Sequence, residues 1–369
     1  MALKTKHLLG IEPLRADDIE LILQTARTFQ EVQRRPIKKL ATLRGKTLVL
    51  AFLEPSTRTR VSFEMAAQRL GADVVNLATG GSSVQKGESL LDTIKTLAAM
   101  RPHAIVIRHA GSGVPHWLAR HTPGFMGAEV PIINAGDGIH EHPTQALLDA
   151  LTITDHKSTL RGLKVAIMGD ILHSRVARSN IHLLTKMGAS IALAGPPPLV
   201  PTRLELLAPT GGQTPAGLPN HPVVRVHHRL EPALEDADVV MMLRVQLERQ
   251  GEPLFSSARE YARHYCLTPA RLARAKPDAI VMHPGPFIRG VDISGEVADS
   301  PRSVIPQQVD NGVAVRMALL YLFMPPPAEA LPAESAARAE AVPVPTDARK
   351  GAATRPGKPR TEMVRGEKR

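Results

Sequence analysis

Short, unbroken runs of apolar residues recur along the chain: TLVLAFL (47–53), HAIVIRH (103–109), VPIINAG (130–136), LKVAIMGD (163–170), SIALAGP (190–196), DADVVMMLR (236–244) and DAIVMHPG (278–285). They are continuous and not alternating, the pattern of strands buried on both faces. Between them, helix-like stretches fall at 61–70, 89–100, 143–155, 174–187 and 307–323. An amphipathic stretch over 14–33 opens at Ala16–Asp17–Asp18, where acidic groups suit the positive end of a helix. Strands alternating with helices in this way predict parallel sheets.

The predicted fold is therefore α/β, with two doubly wound domains built on parallel central sheets. Three predicted strands fall in residues 1–150 and four in 151–306, with the 143–155 helix bridging the halves. The helix at 307–324 follows every strand and is expected to fold back on the first domain. Residues 208–222 are rich in Gly and Pro and read as a surface loop. Residues 325–369 are proline, alanine and charge with almost no large apolar residue, the composition of a disordered basic tail.

Composition narrows the function. A chain of 369 residues, 43% apolar, has material for two full cores but no apolar run long enough to cross a membrane. The opening MALKTKHLLGIEPL lacks the apolar stretch and cleavage site of a secretory signal. A single cysteine, Cys266, cannot form an internal disulfide, so a cytoplasmic, reducing setting is expected, with Cys266 acting as a small buried hydrophobe. The net charge of +11 includes nine Lys/Arg against six Asp/Glu from Pro325 onward, which leaves +8 in the body. Aromatics at 3% are too sparse for a base-stacking surface, so anionic small substrates explain the charge better than nucleic acid.

The chemistry gathers at strand ends. In FLEPSTRTRVSFE (52–64), a strand breaks at Glu54–Pro55 and Ser56–Arg60 form the first turn of a helix. There, unpaired backbone N–H groups, hydroxyls and guanidinium groups suit a phosphate. In SSVQKGESLLDTIKTL (82–97), Ser82 and Lys86 could supply a hydroxyl and a mobile cation, although alone they read as a solvated loop. IRHA (107–110) puts Arg108 at the end of a strand, and DGIHEHPTQALLDAL (137–151) puts His142 before a Pro143 at the first helical position. Three strand ends thus present polar or cationic groups to one edge, where open α/β sheets bind ligands.

Together STRTR, SVQKGES, HPTQALLD, GD…SR, LRVQLER and HPGP…RG resemble the catalytic chains of the aspartate carbamoyltransferase family, over about residues 5–324. The resemblance implies a carbamoyl-phosphate domain followed by an aspartate domain, in a homotrimer with active sites shared between neighbouring chains. It implies transfer of a carbamoyl group from carbamoyl phosphate to the amino group of L-aspartate, without a cofactor. Carried over by motif, Ser56, Thr57, Arg58 and Thr59 would hold the phosphate. Thr59, Arg108 and His142 would face the carbamoyl oxygen. Gln145 and the carbonyls of Pro284 and Gly285 would take its amide, with Pro286 fixing the turn. Ser82 and Lys86 would reach in from a neighbouring subunit, and Arg175, Arg244 and Gln246 would bind the aspartate carboxylates. Amine attack creates an oxyanion that donors aimed at that oxygen stabilise. In that chemistry His142 is a neutral hydrogen-bond donor, and the departing phosphate takes the proton.

Two other readings compete. Ornithine carbamoyltransferases share STRTR but usually carry a cysteine in a later H-C-L-P motif, where this chain has HPGP. A non-catalytic scaffold subunit would show degraded motifs, and here they are intact. GDILHSR lacks the G-x-G-x-x-G spacing of a dinucleotide site. His103, His109, His116, His121, His227 and His228 have no metal-ligand spacing, so no metal is expected. Gly285 stands where some relatives place leucine, resembling chains able to assemble with dihydroorotase. Hetero-assembly with dihydroorotase or regulatory chains is thus compatible with the sequence.

Overall fold

The computed structural model describes residues 3–77, 87–122, 130–207, 223–246 and 257–325. The predicted tail after Pro325, the 208–222 loop, Ser82 and Lys86 lie outside these residues. In chain order the elements are α1 (Ala16–Arg34), β1 (Thr47–Phe52), α2 (Thr57–Arg69), β2 (Asp73–Leu77), α3 (Leu90–Ala99), β3 (Ala104–His109), α4 (Val114–His121), β4 (Ile132–Asp137) and α5 (Pro143–Lys157). They continue as β5 (Lys164–Met168), α6 (Arg175–Lys186), β6 (Ser190–Ala194), β7 (Val224–His227), α7 (Leu230–Leu234), β8 (Val239–Met242), α8 (Ala258–Tyr265), α9 (Pro269–Leu272), β9 (Ile280–Met282), α10 (Gly295–Ala298) and α11 (Ile305–Phe323).

The strands form two sheets, ordered β2-β1-β3-β4 and β7-β6-β5-β8-β9, with every pairing parallel. The fold is the expected pair of parallel α/β sheets, and all seven predicted strands are present. The two strands the apolar runs did not reveal, β2 and β7, are both edges. No residue of β2 is fully buried, so no continuous apolar run marks it. In each sheet the order reverses direction once, between β1 and β3 and between β5 and β8. These are the switch points beyond which parallel sheets hold ligands.

Two helices join the halves. On α5 every residue from Pro143 to Ile153 is buried, and α11 is buried over most of its length and packs on α1, α2 and α5. One apolar cluster therefore runs from Leu48, Leu50 and Ile133 through Leu147 and Leu151 to Ile167 and Met241, with Val315 and Leu319 of α11 inside it. A helix buried on all sides must pair its polar side chains within the protein. On α5 these are Thr144, Gln145, Asp149 and Thr152, and their partners come largely from α6 and α11.

Candidate active site

The strand-to-helix turn after β1 shapes the first part of the site. Ser56 holds an extended conformation (φ −161°, ψ 103°) ahead of α2, and its side chain makes no capping bond among the described residues. The first-turn N–H groups and the helix dipole then face the space beyond the strand, a setting suited to an anion. Arg58 lies in that turn, and burial together with the nearby Arg244 guanidinium lowers its pKa. A bound anion would relieve both effects.

Glu54, at the end of β1, gathers two further arginines. Arg108, from the end of β3, donates Nη2 to Glu54 Oε1 at 2.8 Å and Nη1 to the Ala135 carbonyl at 3.2 Å. Arg175, the first residue of α6 in the second sheet's half, donates Nη2 to Glu54 Oε1 at 2.7 Å and Nη1 to Glu54 Oε2 at 2.9 Å. Gly136 lets them approach: its φ is +115°, and a Cβ there would meet Arg175 Nε at 3.0 Å and Arg108 Nη1 at 3.1 Å.

The second sheet contributes its own strand ends. Asp170, after β5, accepts the Gln246 backbone N–H at 3.1 Å and faces the His173 imidazole at 2.9 Å, which fixes the segment after β8 that carries Arg244 and Gln246. The Gln246 side-chain amide donates to the His173 carbonyl at 3.2 Å. After β9, the His283 ring accepts the Gly285 N–H at Nδ1 (2.8 Å), and the His283 backbone N–H donates to Gln308 Oε1 of α11 (2.9 Å). The Gly285–Pro286 peptide is cis. Burial, reinforced by Arg58 and Arg244, pushes the His283 pKa down to about 3, so the ring is neutral.

Glu54, its two arginines, the start of α2 and the segments after β8 and β9 border one cleft of about 420 Å³ between the carboxyl edges of the two sheets, with Asp170 and His173 behind its lining. Ser56, Thr57, Arg58, Thr59, Arg108, His142, Gln145, Arg175, Arg244, Gln246, Pro284, Gly285 and Pro286, each singled out in the sequence, line it together. Ser82 and Lys86 belong to a segment outside the described residues. The lining also includes residues that sequence reasoning missed: Glu54, Gln308 and Arg316. Glu54 was visible only as the residue that breaks a strand. Gln308 and Arg316 lie in a helix whose apolar spacing signalled packing alone. Five arginines thus face one carboxylate, Glu54, among the described lining residues. Such a cleft favours ligands with several negative charges.

Comparison with known proteins settles the family. Residues 6–155 match the carbamoyl-P binding domain, and residues 161–323 the Asp/Orn binding domain, of the aspartate/ornithine carbamoyltransferases. The chain belongs to the aspartate/ornithine carbamoyltransferase family. It is 59% identical over 313 residues to the aspartate carbamoyltransferase catalytic subunit of Solibacter usitatus, covering 85% of this chain and 97% of that one. Identity to the Syntrophotalea carbinolica catalytic subunit is 54% over 322 residues, 87% of this chain and 96% of that one. Among solved structures, the ornithine carbamoyltransferase of Pyrococcus furiosus superposes with a TM-score of 0.75 at 32% identity, covering 88% and 98% of the two chains. The Trypanosoma cruzi aspartate transcarbamoylase in complex with aspartate and phosphate gives 0.72 at 30%, covering 87% and 96%. Backbone likeness to these two solved structures, one from each branch of the family, is thus nearly equal, while the relatives at 54% and 59% identity are catalytic subunits of the aspartate branch.

Proposed function

We propose that this chain is an aspartate carbamoyltransferase, which moves the carbamoyl group of carbamoyl phosphate to the amino group of L-aspartate and yields N-carbamoyl-L-aspartate and phosphate. This reaction belongs to pyrimidine biosynthesis. The observation that carries the reading is the surplus of guanidinium groups in the cleft, where Arg58, Arg108, Arg175 and Arg244 face the single lining carboxylate Glu54 and Arg316 is offset by the buried Asp149 behind it. A phosphate and a dicarboxylate answer that field, whereas the second cation of ornithine would add to the repulsion.

The roles follow position. Ser56 to Thr59 at the start of α2 hold the phosphate by backbone N–H groups, hydroxyls and the Arg58 guanidinium. Thr59, Arg108 and His142 direct donors at the carbamoyl oxygen. Gln145 and the Pro284 and Gly285 carbonyls receive the amide. Arg175, Arg244 and Gln246 orient the acceptor's carboxylates. The amine nitrogen bonds to the carbonyl carbon, the C–O bond to phosphate breaks, and the amine proton leaves with the phosphate. Donors already fixed around the developing oxyanion stabilise the transition state without reorganising, and one such donor is worth about 10²–10³ in rate in other acyl-transfer sites. No step calls for a metal or an organic cofactor.

The reading extends to a cytoplasmic homotrimer in which Ser82 and Lys86 of a neighbouring subunit complete each site. Assembly with dihydroorotase or regulatory chains stays compatible with Gly285. The deciding experiment offers aspartate and ornithine in parallel to the purified chain and follows phosphate release and carbamoylated product. Turnover with aspartate, abolished in Arg58→Ala, is expected. Turnover with ornithine alone would overturn the acceptor assignment, and a mass of one subunit in light scattering would overturn the trimer.

A further inference from the structure

The buried carboxylate Asp149 lies behind the cleft and borders none of it. It is 0% exposed, yet three side-chain amides converge on it. Gln145 Nε2 donates to Oδ1 at 2.9 Å, Gln308 Nε2 to the same oxygen at 2.8 Å, and Asn180 Nδ2 to Oδ2 at 2.9 Å. The three donors come from α5, α11 and α6, so one side chain ties together three helices.

We propose that Asp149 is the positioning residue that makes the site read the amide end of carbamoyl phosphate, by fixing which face of the Gln145 side chain points into the cleft. A primary amide has a donor end and an acceptor end of nearly the same shape. An ionised carboxylate only accepts, so it binds the Nε2 end of Gln145 and turns Oε1 toward the cleft that Gln145 lines. That oxygen is an acceptor for an NH₂ group and offers nothing to a CH₃ group. The same Asp149 oxygen fixes Gln308 in one sense as well. With Nε2 committed to Asp149, Gln308 Oε1 accepts the His283 N–H at 2.9 Å and holds the strand end that leads into Pro284 and Gly285. Both acceptor groups assigned to the carbamoyl amide are therefore oriented from one buried carboxylate.

The electrostatics agree with this geometry. Burial raises the Asp149 pKa to about 6 against the pull of the three amides and Arg316, which leaves the accept-only form dominant at neutral pH. Arg316, also buried, supplies the compensating charge.

This inference rests on the carbamoyl-phosphate reading, and the test separates the two. Dissociation constants are measured for carbamoyl phosphate, acetyl phosphate and inorganic phosphate. The chains compared are wild type, Asp149→Asn, Asp149→Ala, Gln145→Ala and the double variant D149A/Q145A. Wild type is expected to prefer carbamoyl over acetyl phosphate. Absence of that preference would overturn the substrate reading and this inference with it. D149A is expected to lose at least about tenfold of the preference, the scale of a hydrogen bond lost together with its orientation, while inorganic phosphate binds within about threefold of wild type. D149N can keep one oxygen at the Oδ1 position, where two donors meet, and should retain most of the preference. The double variant should lose no more than Q145A alone, because the two residues act as a unit.

A D149A chain that keeps the preference, or weakens all three ligands equally, would overturn the proposal. A D149A chain that no longer binds inorganic phosphate has lost its cleft, and Gln308→Ala then carries the test. Its preference should fall at least about threefold, and an unchanged value would overturn the proposal.

Discussion

Glu54 and Arg175 meet through both oxygens of one and both terminal nitrogens of the other, at 2.7 and 2.9 Å, and they join the end of β1 to the start of α6. The pair spans the two sheets at the mouth of their shared cleft. Arg108 shares the same carboxylate, so two cations that repel each other depend on one anion for their orientation. Removing one member of a partly buried ionic cluster leaves the others uncompensated. Glu54→Gln should therefore raise KM for aspartate about tenfold or more and lower kcat. Glu54→Asp, one methylene shorter, should fall between. Steady-state kinetics with each substrate varied would check this, and unchanged aspartate saturation in E54Q would remove Glu54 from any role in positioning.

Arg58 is expected to dominate phosphate affinity. Its guanidinium sits in the first turn of α2 and beside the 284–286 loop, where a Cβ on Gly285 would lie 3.2 Å from Arg58 Cζ. Arg58→Ala should weaken inorganic phosphate by about tenfold to a hundredfold, the range for hydrogen bonds to charged groups. Arg58→Lys should restore little, since an ammonium cannot reproduce the planar fork. Titration calorimetry with phosphate reads both.

Much of this arrangement is legible in the chain before any folding. The seven apolar runs mark every strand but β2 and β7, and polar clusters after three of them mark where a ligand binds. Of the four edge strands, the buried β4 and β9 are legible, whereas an exposed edge such as β2 has no continuous apolar signature. The polar network behind the cleft escapes for a different reason. Asp149 and Gln308 lie 159 positions apart, and each sits in a helix whose apolar spacing announces packing and nothing more. Glu54 shows the same limit: its partner Arg175 is 121 positions away.

Arg316 should be worth more to stability than to catalysis. Its guanidinium donates to the Gly312 carbonyl at 2.9 Å and to Thr144 Oγ1 at 3.2 Å and lies 5.2 Å from the centre of the Phe63 ring. Burial pushes its pKa down to about 10, with Asp149 opposing the shift. Arg316→Met removes the positive charge that offsets Asp149 and leaves the Gly312 carbonyl and Thr144 hydroxyl without this donor, and should cost about 1–3 kcal/mol. Urea unfolding would show a lower midpoint with an unchanged slope.

Acid sensitivity should trace in part to His283. Its pKa in the folded chain is about 3, against 6.5 when unperturbed. Between those values the unfolded chain binds a proton that the folded chain refuses, so stability falls as pH drops from about 6.5 toward 3, by about 1.4 kcal/mol per pH unit. Asp149 and Asp292, both raised to about 6, act in the opposite sense: they lend stability at acid pH that is lost as pH rises through about 6. His283→Asn keeps an acceptor for the Gly285 N–H and removes the titration. The stability gap between wild type and H283N should change by about 1–2 kcal/mol between pH 7 and pH 5, to the disadvantage of wild type at the lower pH. A constant gap in urea unfolding at the two pH values would show that His283 titrates normally.

The return of α11 onto α1, α2 and α5 has a consequence for how the protein is made. The ribosome delivers α1 first and Phe29 must wait for Tyr321, its edge-to-face partner 5.9 Å away, until nearly three hundred further residues have emerged. The half of the molecule synthesised earliest is thus the half whose interior is finished last. A nascent chain paused before residue 305 carries the complete phosphate turn but lacks the helix that seals the core behind it, which would leave it prone to capture by chaperones until the final stretch arrives.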